Sequence, residues 1–523
     1  MLDSVGGDAR APRRFSLRNK KWKYRGEGNA NLVLALPQER KILRLRKCDG
    51  DVAKEAEDLL AEREREHVWR EAVFCRGIMA PLLGECYIQP PTAARMDRAE
   101  VKRLDQILRT QRPAHRNHKS LQFGYVTVYP DYALLPLHLS ASSISSPTAT
   151  VPPTFCVEIK PKQGWIPSPD RRLPKCTFCL NQYLKLKNGS IRSRSLYCPL
   201  DLFSGNRARM MKALKALVAA PQNNLKIFKD GVLVYGEETC NDLSSLLQDW
   251  FCDPLETITV TDIPRLVDQL CCLVLEALCR DLTGREKLSD SETDNDSESD
   301  IALWERGCQN LLRPNSLPDG YGSNRQCRMP GTALIERIPS GLVAAVTPLL
   351  PGPPCDWSAQ SLPVDCILAR ILRVQKLERT GSDRVYEAFR TQSCMNQLRA
   401  GNAAVADYGY VASMLSAGTG AGSGLSPLHR YLLATTAKDC SIMLAFQRLP
   451  PDNKCRYGVE LDVLCVTDCR DSLQAQVKTK FFILIWLPEW LRVHAASYTI
   501  EYHIFSRGRN NQSSASHFTS SWC

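Results

Sequence analysis

Around residues 155–165, Phe-Cys-Val-Glu-Ile-Lys-Pro-Lys-Gln-Gly-Trp, apolar and polar positions alternate. Val157 and Ile159 alternate with Glu158, Lys160 and Lys162, which predicts a strand with one buried and one wet face. Two residues along a strand span about 6.6 Å, so Lys160 and Lys162 would stand about one phosphate apart on the wet face. Pro161 keeps Lys160 extended and removes a ladder donor. The strand must therefore end there or run along a sheet edge. Gly164 then permits a turn.

The same reading extends along the chain. At 22–34, "WKYRGEGNANLVL" sets Gly26 and Gly28 ahead of an apolar run, and "KILRLRK" follows at 41–47. This predicts strand, turn and strand, with Leu43 and Leu45 inside and Arg44 and Arg46 outside. Paired glycines also let backbone N–H groups approach a phosphate. Residues 52–76, rich in helix formers and mixed charge, predict a helix, on which His67 is a surface or packing residue. A second helix is predicted over 99–112. "FGYVTVYPDYALL" at 123–135 alternates as a strand, and a Ser- and Pro-rich loop covers 139–153.

Beyond the central strand, residues 204–220 carry a helical stripe of Met210, Met211, Leu214, Leu217 and Val218, with Ser204 as the expected N-cap. "PQNNLKIFKDGVLVYG" reads as turn, strand, Asp-Gly turn, strand. Residues 261–282 predict an apolar helix capped by Asp262. The acidic serine run at 289–300 cannot bury apolar surface and predicts disorder. Residues 364–391 read as helical and 400–426, rich in Gly, Ala and Ser, as a flexible connection. In "LLATTAKDCSIMLAFQRL" a strand starts after Cys440, which puts Asp439 on a loop at its head.

The chain has 523 residues, 44% of them hydrophobic, enough for two to four domains or lobes. Its net charge of +12 points to an anionic partner. Residues 1–17 lack the apolar core of a secretory signal, and "FFILIWLPEWL" at 481–491 is too short to span a bilayer. The 22 cysteines therefore read as reduced thiols. Cys176 and Cys179 form a CxxC, and with Cys198 they supply three of the four ligands that a structural Zn²⁺ needs. Cys156 is one candidate for the fourth, and buried free cysteines are the other reading.

Five segments, in order, carry a resemblance: "YRGEGNANLVL", "EIKPKQGW", "PLDLFSGN", "PQNNLKIF" and "TAKDCSIM". Together they resemble the inositol-pentakisphosphate 2-kinase family over roughly residues 20–450. The resemblance implies an α+β, two-lobed kinase-like fold, with a small strand-rich N-lobe and a larger mixed C-lobe. The expected organisation is a disordered basic tail at 1–19 and an N-lobe at 20–135. The C-lobe would take 136–282 and 358–480, around a disordered insertion at 283–357, and a divergent tail would occupy 481–523.

The implied activity is transfer of phosphate from ATP to the 2-hydroxyl of inositol pentakisphosphate, giving inositol hexakisphosphate. ATP would lie between the lobes, beneath Gly26, Glu27, Gly28 and Asn29, with Arg44 and Lys226 on its phosphates and Glu158 near the ribose. Arg116, Lys160, Lys162, Lys185, Asn223 and Asn224 would hold the inositol phosphates. Lys160 would also stabilise the moving phosphoryl group, and Asp439 would be the base. Mg²⁺ is the implied metal. The family carries "DLDLKP" near its end, where this chain has "YGVELDVLCVTDCRDSLQAQVKTKFF" at 457–482. The metal-binding aspartate position falls on Cys465, leaving Asp462 and Asp468 as nearby candidates. An inositol-polyphosphate-binding form without catalysis is the alternative this departure raises. A nucleic-acid-binding protein is disfavoured, since basic and aromatic residues are not interleaved and no nucleic-acid module is recognisable. The implied setting is a cytoplasmic and nuclear monomer.

Overall fold

The computed structural model describes residues 12–49, 57–84, 86–121, 123–136, 152–237, 239, 242–252, 259–280, 352–385, 427–448, 463–465 and 476–484. They form two compact units, one drawn from residues 1–160, 221–282 and 439–523, the other from 161–220 and 283–438. The fold is α+β.

In the first unit the described residues build two six-stranded sheets. Strands Arg13–Arg14 (β1), Lys23–Glu27 (β2), Asn31–Leu36 (β3), Lys41–Arg46 (β4), Thr92–Arg95 (β5) and Tyr125–Pro130 (β6) lie in the order β1-β5-β6-β4-β3-β2. Every pair is antiparallel except β1 with β5. Strands Thr154–Ile159 (β7), Leu225–Lys229 (β8), Val232–Tyr235 (β9), Ser441–Arg448 (β10), Val463–Cys465 (β11) and Gln476–Leu484 (β12) form the second sheet, ordered β9-β8-β7-β10-β12-β11.

The period-two apolar positions of β3 and β4, Leu32, Leu34, Leu36, Leu43 and Leu45, pack with Val101, Leu104 and Leu108 of helix Arg98–Leu108. Asp97 caps that helix by accepting from the Ala99 and Glu100 N–H groups. Helix Glu57–Phe74 runs on into a wider turn at Cys75–Met79. Phe155 of β7 stacks on Trp250 of helix Leu243–Phe251, their ring centroids 4.5 Å apart. The Asp-Gly turn between β8 and β9 forms as read, with Asp230 and Gly231 both at positive φ.

Several expectations change. The tail was expected to be disordered through residue 19, yet 12–19 is docked chain. Arg13 and Arg14 pair with Ala94 and Arg95, the Phe15 N–H donates to the Arg95 carbonyl, and Leu17 is buried. Phe15 and Leu17 are apolar positions that find a core, which the surrounding basic residues concealed. Strand β7 is central, flanked by β8 and β10, and resolves the proline constraint by ending at Ile159. Arg44 does not face solvent: β4 lies inside the sheet, and Arg44 is 3% exposed. Asp262 accepts from Thr259 in a capping box one turn ahead of helix Ile263–Cys279. Residues 481–484, assigned to a divergent tail, are part of β12.

The second unit holds helices Thr177–Lys187, Arg207–Ala219, Ile367–Gln375 and Pro427–Lys438. Asn206, not Ser204, caps Arg207–Ala219 by accepting from the Arg209 N–H. Met210, Leu214, Leu217 and Val218 are buried as read, and Met211 is half-buried. Residues 352–357, expected within a disordered insertion, are docked. The Cys355 N–H donates to the Pro174 carbonyl at 2.7 Å, and Arg209 binds both Asp201 and Asp356. A Cβ on Gly205, which has φ +72°, would lie 2.6 Å from the Gln360 carbonyl, so the returning chain requires glycine there. The acidic run at 289–300, the loop at 139–151, the connection at 400–426, and Asp462 and Asp468 lie outside the described residues.

Candidate functional site

Three strand ends meet at one end of the second sheet. Ile159, the last residue of β7, pairs with Leu225 at the start of β8 and with Ile442 at the start of β10. That register gathers the residues just outside each strand. Lys160 donates its N–H to the Asn224 carbonyl at 2.9 Å and its Nζ to Asn223 Oδ1 at 3.3 Å. Glu158 accepts from the Ser441 hydroxyl at 2.9 Å and lies opposite Lys226 in the ladder. Asp439 is exposed on the turn joining helix Pro427–Lys438 to β10, as its place at the strand head implied. Asn224 is buried, while Asn223 is exposed.

The glycine turn belongs to the first sheet. A register irregularity lies between Tyr24 and Gly26 in the β2–β3 pair, and the Gly28 N–H closes the turn on the Asn31 carbonyl at 2.9 Å. A Cβ at Gly26 or at Gly28 would meet no heavy atom within 4 Å. The turn thus leaves open ground around both glycines. Glu27 points elsewhere: its carboxylate holds Lys47 and Arg112, and all three side chains are 1% exposed. Burial alone would raise that carboxyl, but hydrogen bonds from Arg112 and Lys47 outweigh it and leave the group lowered. The Glu27 side chain is therefore a structural anchor, and only backbone at 27 is left to meet a ligand.

Arg44 donates to Glu71 of helix Glu57–Phe74, and the Tyr129 hydroxyl donates to the same carboxylate at 2.8 Å. Burial pushes the Tyr129 phenol well above its ordinary value, so it keeps the proton that it donates. Arg116 lies on the turn Ala114–Arg116, which Arg112 braces through the Arg116 carbonyl.

In the second unit Lys162 leaves the strand pattern altogether, at φ +61°. The two-residue strand spacing therefore stops at Lys160. Tyr197 donates to the Pro161 carbonyl at 2.7 Å, and Gln375 donates to the Lys162 carbonyl at 2.9 Å. Lys185 sits in the last turn of helix Thr177–Lys187.

Four thiols gather in the same unit. Cys176, Cys179, Cys198 and Cys355 have sulfurs all within 4.8 Å of one another. Cys176 and Cys198 are 3.9 Å apart, and Cys198 and Cys355 are 3.8 Å apart. A tetrahedral site with Zn–S bonds of about 2.3 Å requires sulfurs about 3.8 Å apart, so the set fits zinc. The Cys176 N–H donates to the Cys355 sulfur and the Cys179 N–H to the Cys176 sulfur. Such bonds orient and stabilise thiolate ligands. Ile166, Phe178, Leu200 and Trp357 surround the cluster. The fourth thiol is Cys355. Cys156, the candidate from sequence, is a β7 residue whose thiol meets the Tyr132 carbonyl at 3.6 Å.

Glu71, Tyr129, Ser441, Gln375 and Cys355 escaped the sequence reading. Glu71 was one acid among many on a charged helix. Cys355 follows a long proline-rich stretch, and 22 cysteines offer too many fourth ligands for arithmetic to choose.

Comparison with known proteins gives a consistent result. The inositol-pentakisphosphate 2-kinase family model matches residues 24–483. The inositol-pentakisphosphate 2-kinase of Danio rerio is 29% identical over 457 residues, covering 84% of this chain and 85% of that protein. That of Drosophila melanogaster is 30% identical over 313 residues, 43% of this chain and 50% of its own. That of Arabidopsis thaliana is 30% identical over 247 residues, 41% and 53%. The chain belongs to the inositol-pentakisphosphate 2-kinase family and is an inositol phosphate kinase.

Proposed function

We propose that the protein transfers the γ-phosphate of ATP to the 2-hydroxyl of inositol pentakisphosphate, giving inositol hexakisphosphate. The observation that carries this reading is the common sheet end. There the β7 and β8 termini gather Lys160, Asn223 and Asn224, and β10 starts two residues after Asp439. A cation with amide partners suits phosphate, and a carboxylate at the same end suits a hydroxyl proton.

Asp439 takes the proton from the attacking hydroxyl, and Lys160 stabilises charge on the phosphoryl group in flight. Transfer is in line, with no phosphorylated protein intermediate. Lys160, Lys162, Lys185, Arg116, Asn223 and Asn224 bind the substrate's phosphates. The Gly26–Gly28 turn covers the nucleotide, Arg44 and Lys226 meet its phosphates, and Glu158 lies near its ribose. When bound, Mg²⁺ supplies charge neutralisation at the β and γ oxygens, and Asp462 or Asp468 would hold it. Zinc at Cys176, Cys179, Cys198 and Cys355 is structural, tying residue 355 to the helix at 177–187. Among the described residues no helix is long and apolar enough to cross a membrane. We place the protein in cytoplasm and nucleus as a monomer.

The test is to incubate the full chain with ATP, Mg²⁺ and inositol pentakisphosphate and assign the product by NMR. Phosphate at the 2-position is the expected result. Transfer to another position, or none with both substrates bound, would falsify the reading.

A further inference from the structure

Gln375 closes helix Ile367–Gln375 and is 0% exposed. Its Oε1 accepts the Gly164 N–H at 2.8 Å. Its Nε2 donates to the Lys162 carbonyl at 2.9 Å and to the Ala437 carbonyl at 3.2 Å. The amide's orientation is forced, because an N–H must meet the oxygen and two carbonyls must meet the nitrogen.

Ala437 lies in the last turn of helix Pro427–Lys438. Two residues further on is Asp439. Lys162 sits at φ +61°, a left-handed conformation unfavourable for a residue with a side chain. Gly164 leaves no room for adjustment: a Cβ there would lie 2.1 Å from the Phe203 ring. Movement of either segment would take a partner from the fully buried Gln375 amide, which is costly in an apolar interior.

We propose that Gln375 is a positioning residue that fixes the Lys162 loop against the last turn of helix Pro427–Lys438, two residues before Asp439. It acts on the Lys162 grip and on the end of that helix without touching substrate. An apolar side chain of similar length would fill the space but hold neither segment. The inference rests on the roles of Lys162 and Asp439 given above.

The test compares Gln375→Glu and Gln375→Met in the full chain. Gln375→Glu keeps the acceptor for Gly164 and turns a carboxylate on two carbonyls; Gln375→Met removes all three bonds. Thermal melts establish folding, and kcat and both KM values are then measured. KM for inositol pentakisphosphate should rise and kcat fall, each about tenfold, with KM for ATP unchanged. The Gln375→Glu defect should shrink as pH falls relative to the unsubstituted protein, because the protonated acid donates again. Folded variants with unchanged kcat and KM, or with both KM values raised equally, overturn the proposal. Should both variants fail to fold, hydrogen exchange on the unsubstituted protein decides. The Gly164 amide should gain protection with inositol pentakisphosphate, and no gain overturns the proposal. An unsubstituted protein that does not phosphorylate inositol pentakisphosphate sinks the 2-kinase reading itself. An active one with indifferent Gln375 variants sinks only this inference.

Discussion

Arg44 and Glu71 form an ion pair in which both side chains are buried, at 3% and 8% exposure, with Tyr129 donating to the same carboxylate. The guanidinium is thereby held at a fixed angle on the central strand of the first sheet. Removing one partner of a buried pair leaves an unpaired charge, which costs about 3–5 kcal/mol. Glu71→Ala should lose stability on that scale in urea unfolding. Replacing both residues, Arg44→Met with Glu71→Leu, should recover most of the loss, since the desolvation of two charges disappears. Kinase activity should stay lost in the repaired protein, because Arg44 is assigned to ATP phosphates. A double variant as active as the original would remove Arg44 from that role.

The strand–turn–strand near the N-terminus and the placement of Asp439 were legible because local alternation and turn chemistry agree there. The Arg44 partnership was not, because Glu71 comes from a helix 27 residues away whose own pattern shows only mixed charge. Lys162 illustrates a different failure. Its alternation with Lys160 is real in the sequence, but Pro161 ends the ladder, and the next residue takes a positive φ with its carbonyl bonded to Gln375. Cys355 was invisible for a third reason. What brings it to the CxxC is the docking of 355–360 onto Pro174, Ser204 and Arg209, a tertiary contact with no local signature.

The cysteine cluster makes a prediction that needs no catalysis. Elemental analysis of purified protein should find about one zinc per chain, given four converging thiols. Cys355→Ser should reduce that content to near zero and lower the melting temperature, as should a strong chelator. Full zinc content in Cys355→Ser would show that the four thiols do not form the site.

Glu27 supplies a pH dependence. Its folded-state pKa is lowered from the ordinary 4.5. A lowered acid stabilises the fold above the unfolded pKa, and that contribution is lost as pH falls through the folded value. Glu27→Gln strands Lys47 and Arg112 and should cost about 3–5 kcal/mol at neutral pH. The gap between the two proteins should narrow below about pH 4.5. Buried Glu64 and Asp131 are raised by burial and act with the opposite sign, but they are common to both proteins and cancel in the difference. A gap that stays constant with pH contradicts the anchor assignment.

Asp439 separates chemistry from binding. It is exposed on the turn between helix Pro427–Lys438 and β10, and Ser441 of that strand holds Glu158. Lys160 stands at the same sheet end, where its ammonium favours the transferred phosphoryl group. An asparagine there keeps the shape and loses the proton acceptor. Asp439→Asn should bind ATP and inositol pentakisphosphate as before by calorimetry, while kcat falls by a factor on the order of 10²–10⁴. Lys162→Ala gives the complementary result: weaker inositol pentakisphosphate binding with ATP binding intact. If Asp439→Asn instead loses binding with no further loss in turnover, the aspartate is a ligand contact and the base lies elsewhere. If turnover is unchanged, the sheet end that gathers Lys160 and Asp439 is not where the hydroxyl is deprotonated.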